Sequence, residues 1–137
     1  MRAVLDVNVL ISALISPHGT PATVLRAWRD GAFELLASEM LLAELQRALA
    51  YPKLRAYVSG DEAEAVLDWL SRSATLVADP AGPPAIGSPD AGDDYLLSLA
   101  TTERAALVSG DRHLLSLSGE APIFSPAEFL ELLEERD

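Results

Sequence analysis

Short apolar stretches alternate with longer amphipathic ones along this chain, and the alternation predicts its elements. Arg2 to Leu5 form an apolar run that stops at Asp6, and a mostly apolar pattern from Asn8 to Ile15 ends at Pro17-His18-Gly19, so a strand followed by a helix is expected. Pro21 opens a second helix in its first turn, and Gly31 after Asp30 is placed to stop it. Phe33 to Ala37 reads as a strand, with Ser38 as N-cap of a helix from Glu39 to Ala50 that Tyr51-Pro52 ends. Ser59-Gly60-Asp61-Glu62 has capping-box spacing and precedes a helix to about Ser71, after which Thr75 to Ala78 reads as a strand. Asp79 to Gly92 holds four prolines and three glycines and is the one long loop, of a length that in a compact domain is often functional. Asp93 to Arg104 reads as helix, Ala105 to Ser109 as strand, and Pro122 to Phe124 as a last strand after a short helix. Ser125-Pro126-Ala127-Glu128 combines an N-cap, a proline at the first helical position and a capping-box Glu, so a terminal helix to about Glu135 follows.

Strands alternating with helices predict an α/β fold, a three-layer α/β/α sandwich around a central parallel sheet. No repeat or linker divides the chain, so residues 1–137 are expected to form one domain. Ligands of open parallel sheets bind beyond the carboxyl ends of the strands, and this singles out particular acids. Asp6 follows the first strand directly, and Asp111 follows the strand Ala105 to Ser109 across one glycine. Glu44 sits at the border of the stripe Leu41, Leu45, Ala48 and Leu49, away from the solvent face with Arg47 and Ala43. Asp93 shares a face with Leu96, Leu97 and Ala100, whereas Asp94 points toward the side of Ser98 and Thr101.

Composition adds a constraint. The 137 residues carry 21 Asp and Glu against 10 Lys and Arg, a net charge of −11, while half of them are apolar. That is enough apolar content for a core, and it excludes a disordered acidic tail. It also argues against holding nucleic acid by a broad basic surface, because phosphate neutralisation by Lys and Arg supplies most non-specific affinity. The absence of cysteine removes disulfides, thiolate zinc sites and thiol nucleophiles, and is compatible with a reducing cytosol. No apolar run reaches the ~18 residues of a membrane span, and the N-terminus lacks the pattern of a signal peptide, so a cytoplasmic location is expected.

Carboxylates on or near a buried face are costly to desolvate unless something compensates them, and four that converge need a cation. The only lysine is Lys53, and the nearest arginine in sequence to any of the four is Arg112. A hard divalent ion with oxygen ligands, Mg²⁺ or Mn²⁺, fits better, while His18 and His113 have no zinc-ligand spacing. The plainer alternative is that Asp6 and Asp111 cap the helices that follow them, that Asn8 is a turn residue and that Ser109 is an ordinary strand-end hydroxyl. Trp28 and Trp69 are expected to pack helices rather than to stack on bases.

In order and spacing, several segments resemble the PIN-domain family, which includes the ribonuclease toxins of toxin–antitoxin pairs, the VapC type. These are Val4-Leu5-Asp6-Val7-Asn8-Val9-Leu10, Ser38-Glu39-Met40-Leu41-Leu42-Ala43-Glu44-Leu45, Asp93-Asp94-Tyr95-Leu96-Leu97-Ser98-Leu99-Ala100, Leu107-Val108-Ser109-Gly110-Asp111 and Pro122-Ile123-Phe124-Ser125-Pro126-Ala127-Glu128-Phe129-Leu130. The resemblance implies that Asp6, Glu44, Asp93 and Asp111 take the family's four acidic, metal-binding positions. It further implies that Asn8 orients the first Asp and that Ser109 is the small hydroxyl residue near the last. Val7 stands where the family commonly has Thr, and Ser88-Pro89-Asp90-Ala91-Gly92 replaces a usual Asp-Pro, which leaves the contributions of Asp90 and Asp94 open.

By the same resemblance the expected activity is a Mg²⁺- or Mn²⁺-dependent endoribonuclease acting on single-stranded RNA. Asp6, Asp93 and Asp111 would bind one or two ions, and Glu44 would complete the shell or take the proton of water. The expected partners are an antitoxin protein and a second copy of the chain, with no membrane. Two competing readings are a catalytically silent adaptor on the same fold and a phospho-aspartyl enzyme or receiver. The latter generally needs a second carboxylate where Asn8 stands and a late lysine that the chain lacks.

Overall fold

A computed structural model describes residues 1–80 and 94–135. The elements run β1 (Arg2–Leu5), α1 (Val7–Ile15), α2 (Thr20–Arg29), β2 (Glu34–Ala37), α3 (Glu39–Leu49), α4 (Gly60–Ser73), β3 (Thr75–Leu76), α5 (Asp94–Glu103), β4 (Ala106–Val108), α6 (Arg112–Leu115), β5 (Ile123–Phe124) and α7 (Pro126–Glu135). A 3₁₀ turn at Pro52–Ala56, which the sequence pattern did not predict, joins α3 to α4. The five strands form one sheet in the order β3-β2-β1-β4-β5, and every neighbouring pair is parallel. This is the expected sandwich, a parallel sheet between helical layers. Most of the long loop, including Asp90, and Asp93 with it, lies outside the described residues.

The architecture follows from β1, whose Ala3, Val4 and Leu5 are almost wholly buried because both faces of the strand are covered. From β1 the chain steps one way through β2 to β3, then returns past β1 to β4 and β5. Right-handed crossovers in these two directions put α1 to α4 on one face and α5 and α6 on the other. The last helix, α7, comes back to pack on β5 and α2, with Phe129 meeting Phe33 edge-on at 5.0 Å. Trp28 and Trp69 lie 4.7 Å apart between α2 and α4, as packing residues.

Local chemistry sets the element ends. Ser38 accepts a hydrogen bond from the Leu41 N–H, and both Ser59 with Glu62 and Ser125 with Glu128 form reciprocal capping boxes. The strand predicted to Ala78 stops at Leu76, although the Val77 N–H still reaches the Ala37 carbonyl at 2.9 Å. Phe33 is buried but precedes β2 rather than opening it.

The C-termini of α2 and α5 close in the same way. Gly31 has φ 87° and Arg104 has φ 54°, and in each case the next residue bonds back to the carbonyl five positions earlier, Ala32 to Ala27 and Ala105 to Ala100. Glycine takes this left-handed conformation freely, whereas arginine is strained in it by the approach of its Cβ to the carbonyl. Arg104→Gly is therefore expected to raise unfolding stability by about 0.5–1 kcal/mol, the relief of strain exceeding the added freedom of the unfolded chain. Urea denaturation measures this, and a loss of stability would contradict it.

Candidate carboxylate site at the strand ends

Between β1 and β4 the strand order reverses, and the crevice at such a point, beyond the carboxyl ends of the strands, is where parallel sheets hold ligands. Register decides what meets there. Leu5 pairs with Val108, so the residues that follow, Asp6 and Ser109, come out side by side. The Asp6 N–H donates to the Val108 carbonyl at 2.9 Å and continues the ladder by one residue. The Ser109 hydroxyl donates to Asp6 Oδ2 at 2.8 Å and accepts from the Asp111 N–H at 3.0 Å, while Asp6 Oδ1 accepts from the Asn8 N–H at 3.2 Å. Asp6 is 5% exposed and Ser109 is fully buried.

Burial pushes the Asp6 carboxyl above the usual carboxylate range. The hydrogen bonds from Ser109 and Asn8 oppose that shift, and the negative charges of Asp111 and Glu44 add to it. At the opposite edge of the sheet the chain treats its acids differently. Arg2 there reaches Glu34 at 3.1 Å and Glu103 at 3.3 Å. Among the described residues no Lys or Arg pairs with Asp6, Glu44 or Asp111.

Glu44 lies half-buried midway along α3, where the helical stripe put it; Ala43, expected toward solvent, is half-buried as well. The Glu44 carboxylate accepts a hydrogen bond from the Tyr95 hydroxyl, which α5 brings across from the other face of the sheet. Burial, that bond and the charges of Glu44, Asp6 and Asp79 push the Tyr95 pKa far above the ordinary tyrosine range, so the group remains a donor. Asp79 approaches the same edge. Its Oδ2 accepts from the Met40 N–H at 3.0 Å, in the first turn of α3, and its Oδ1 is buried with no partner among the described residues.

Asp111 caps α6 by accepting from the His113 N–H at 2.7 Å, and Asp6 caps α1 through Asn8, so both acids also perform the plainer role considered for them. The group of Asn8 that orients Asp6 is its main-chain N–H. Asn8 itself is exposed and lines, with Ser12, Gly110, Asp111 and Pro126, a cleft of about 300 Å³. Of the four principal acids, then, Asp6, Glu44 and Asp111 come to one neighbourhood, and Asp93 falls outside the described residues. Asp94 is the first residue of α5. Among the described residues no three acidic or histidine side chains are close enough to hold an ion by themselves. The donors present are all oxygen, the set that suits a hard cation. Tyr95 and Asp79 were not singled out from the sequence. Asp79 follows a strand end as Asp6 does, which is a usable signal, while nothing in the sequence shows that Tyr95 meets Glu44.

The PIN domain family profile matches residues 2–113, from the start of β1 into α6. The chain belongs to the PIN-domain family. It is 26% identical over 145 residues to the uncharacterised protein MJ1680 of Methanocaldococcus jannaschii, covering 98% of this chain and 93% of that one. Among solved structures the PIN domain is similar to VapBC2 from Rickettsia felis, which was crystallised with a DNA fragment from its promoter (TM-score 0.59, 19% identity, 91% and 97% of the two chains). It is also similar to PAE2754 from Pyrobaculum aerophilum (TM-score 0.62, 16% identity, 98% and 89%) and to FitAcB from Neisseria gonorrhoeae (TM-score 0.55, 18% identity, 91% and 98%). At these identities the structural likeness shows the PIN fold. No helix among the described residues is long and apolar enough to cross a membrane.

The state of Asp6 has a measurable consequence. Because its carboxyl titrates higher in the folded protein than in the unfolded chain, the folded form binds more protons there, and stability falls as pH rises through the folded-state pKa. In EDTA, Asp6→Asn is expected to have a higher Tm than wild type at pH 7, with the gap closing as pH drops below the carboxylate range. A lower Tm for the variant at pH 7 would mean that Asp6 stabilises the metal-free fold.

Proposed function

We propose that this PIN domain, a single domain spanning residues 1–137, is a metal-dependent endoribonuclease that hydrolyses phosphodiester bonds of single-stranded RNA as the toxin component of a toxin–antitoxin pair. The observation that carries the reading is Asp6: a buried carboxylate at the point where strand order reverses, coupled to Glu44 and Asp111, with no Lys or Arg paired to it among the described residues. The opposite sheet edge, where Arg2 pairs with its acids, shows how the chain compensates carboxylates with its own cations. Leaving Asp6 uncompensated favours a cation from solution.

Asp6, Asp93 and Asp111 would hold Mg²⁺ or Mn²⁺, with Glu44 completing the shell or accepting a proton from the attacking water. When bound, such an ion supplies a more acidic water and offsets charge on the phosphate. Ser109 keeps the Asp6 carboxylate turned by donating to Oδ2, and the Asn8 N–H holds the other oxygen. The family pattern leaves to Asp94, the first residue of α5, a supporting role. In hydrolysis the water oxygen would bond to phosphorus as the bond to the leaving ribose oxygen breaks, the water's proton passing toward Glu44 and the leaving oxygen taking a proton from solvent. The acidic pocket would also accept an arginine from an antitoxin, a charge-assisted contact that blocks it. The resemblance to toxin-type PIN domains further supports a homodimer or higher homo-oligomer in the cytoplasm.

That Asp6 and Asp111 both cap helices favours a second reading, an adaptor in which the acids are structural and catalysis is absent. Titration with Mn²⁺ separates the two, because an adaptor takes up no metal at millimolar concentration. The nuclease reading predicts that purified protein cleaves single-stranded RNA only with Mg²⁺ or Mn²⁺, and that Asp6→Asn lowers the rate about 100-fold or more. Undiminished metal-dependent cleavage by that variant would overturn the assignment.

A further inference from the structure

We infer that Tyr95 is a positioning residue, which through its hydroxyl holds the Glu44 carboxylate in place for the cation; the inference rests on the metal-dependent reading above. Glu44 projects from the middle of α3 on a side chain with three rotatable bonds, half-buried, beside the negative charge of Asp6. Left alone, repulsion and hydration would turn it toward water. Tyr95 meets it from α5, a helix of the opposite face, so the bond spans the strand edge where Asp6 lies. The tyrosine ring is half-buried beside Leu96 and Leu97, which are core residues, and this anchors the hydroxyl by packing independent of the bond it makes.

A hydroxyl that orients a metal-binding carboxylate acts on metal affinity, and loss of such outer contacts typically costs ten- to a hundredfold. A bond that only staples α3 to α5 would act on stability and leave the metal alone. The two roles separate with Tyr95→Phe, which keeps the ring and removes the donor. Full-length wild type, Tyr95→Phe, Glu44→Gln and the double variant are titrated with Mn²⁺ by calorimetry, with urea unfolding of each in EDTA. The expectation is that Tyr95→Phe folds with a nearly unchanged urea midpoint, binds Mn²⁺ about tenfold more weakly, and has less than about a twofold effect once Glu44 is Gln. Glu44→Asp, which draws the carboxylate back from the hydroxyl by one methylene, is a second variant and should weaken Mn²⁺ to a similar degree. Wild-type affinity in Tyr95→Phe, or an equal loss in the Glu44→Gln background, would overturn the role given to Tyr95. Failure of wild type itself to bind Mn²⁺ has a different signature and would overturn the metal reading together with this one.

Discussion

The structure turns on keeping a carboxylate in a place where almost no water reaches it. Asp6 sits at the end of the most enclosed strand, tied by its N–H to Val108 and by its side chain to Ser109 and Asn8. The two side-chain ties remove part of the cost of burying the charge, yet the carboxyl is still held above its ordinary range. The remaining cost is one the fold tolerates because β1, with the register to β4 on one side and β2 on the other, leaves Asp6 nowhere else to go. A site in a PIN domain is thus a by-product of sheet order as much as of side-chain chemistry: reversal of strand order opens the crevice, and register fills it with Asp6, Ser109 and Asp111.

Charge is distributed to the same end. A net charge of −11 could be read as a uniformly repelling surface, but the two edges of the sheet differ. At the amino edge Arg2 bridges Glu34 and Glu103, and Thr75 and Arg2 together hold the Glu34 carboxyl below its usual range. At the carboxyl edge Asp6, Glu44, Asp79 and Asp111 have hydroxyls and N–H groups as their partners. Neutral donors orient carboxylates without cancelling them, and that preserves the negative charge at this edge. Under the metal-dependent reading proposed above, the same neutrality makes Tyr95 suitable beside Glu44, since a lysine in its place would compete with a cation.

The local elements were legible because their causes are local. Capping at Ser38, Ser59 and Ser125 and the stop at Gly31 are set by residues three or four positions apart, and they fall where the pattern puts them. The sequence alone also determined that Asp6 and Asp111 follow strands, since a parallel α/β chain turns at those points, and that Glu44 borders an apolar stripe. Arg104 shows the limit of such reasoning: it takes a glycine's conformation because α5 must close against β4, not because its own residue type favours it. What only the tertiary structure decided is which residues meet. Asp6 and Ser109 are 103 positions apart, Glu44 and Tyr95 are 51, and Asp79 and Met40 are 39. Those contacts depend on strand order, register and the face each helix covers, quantities to which no single segment is bound, because they arise from burying all the apolar surfaces at once.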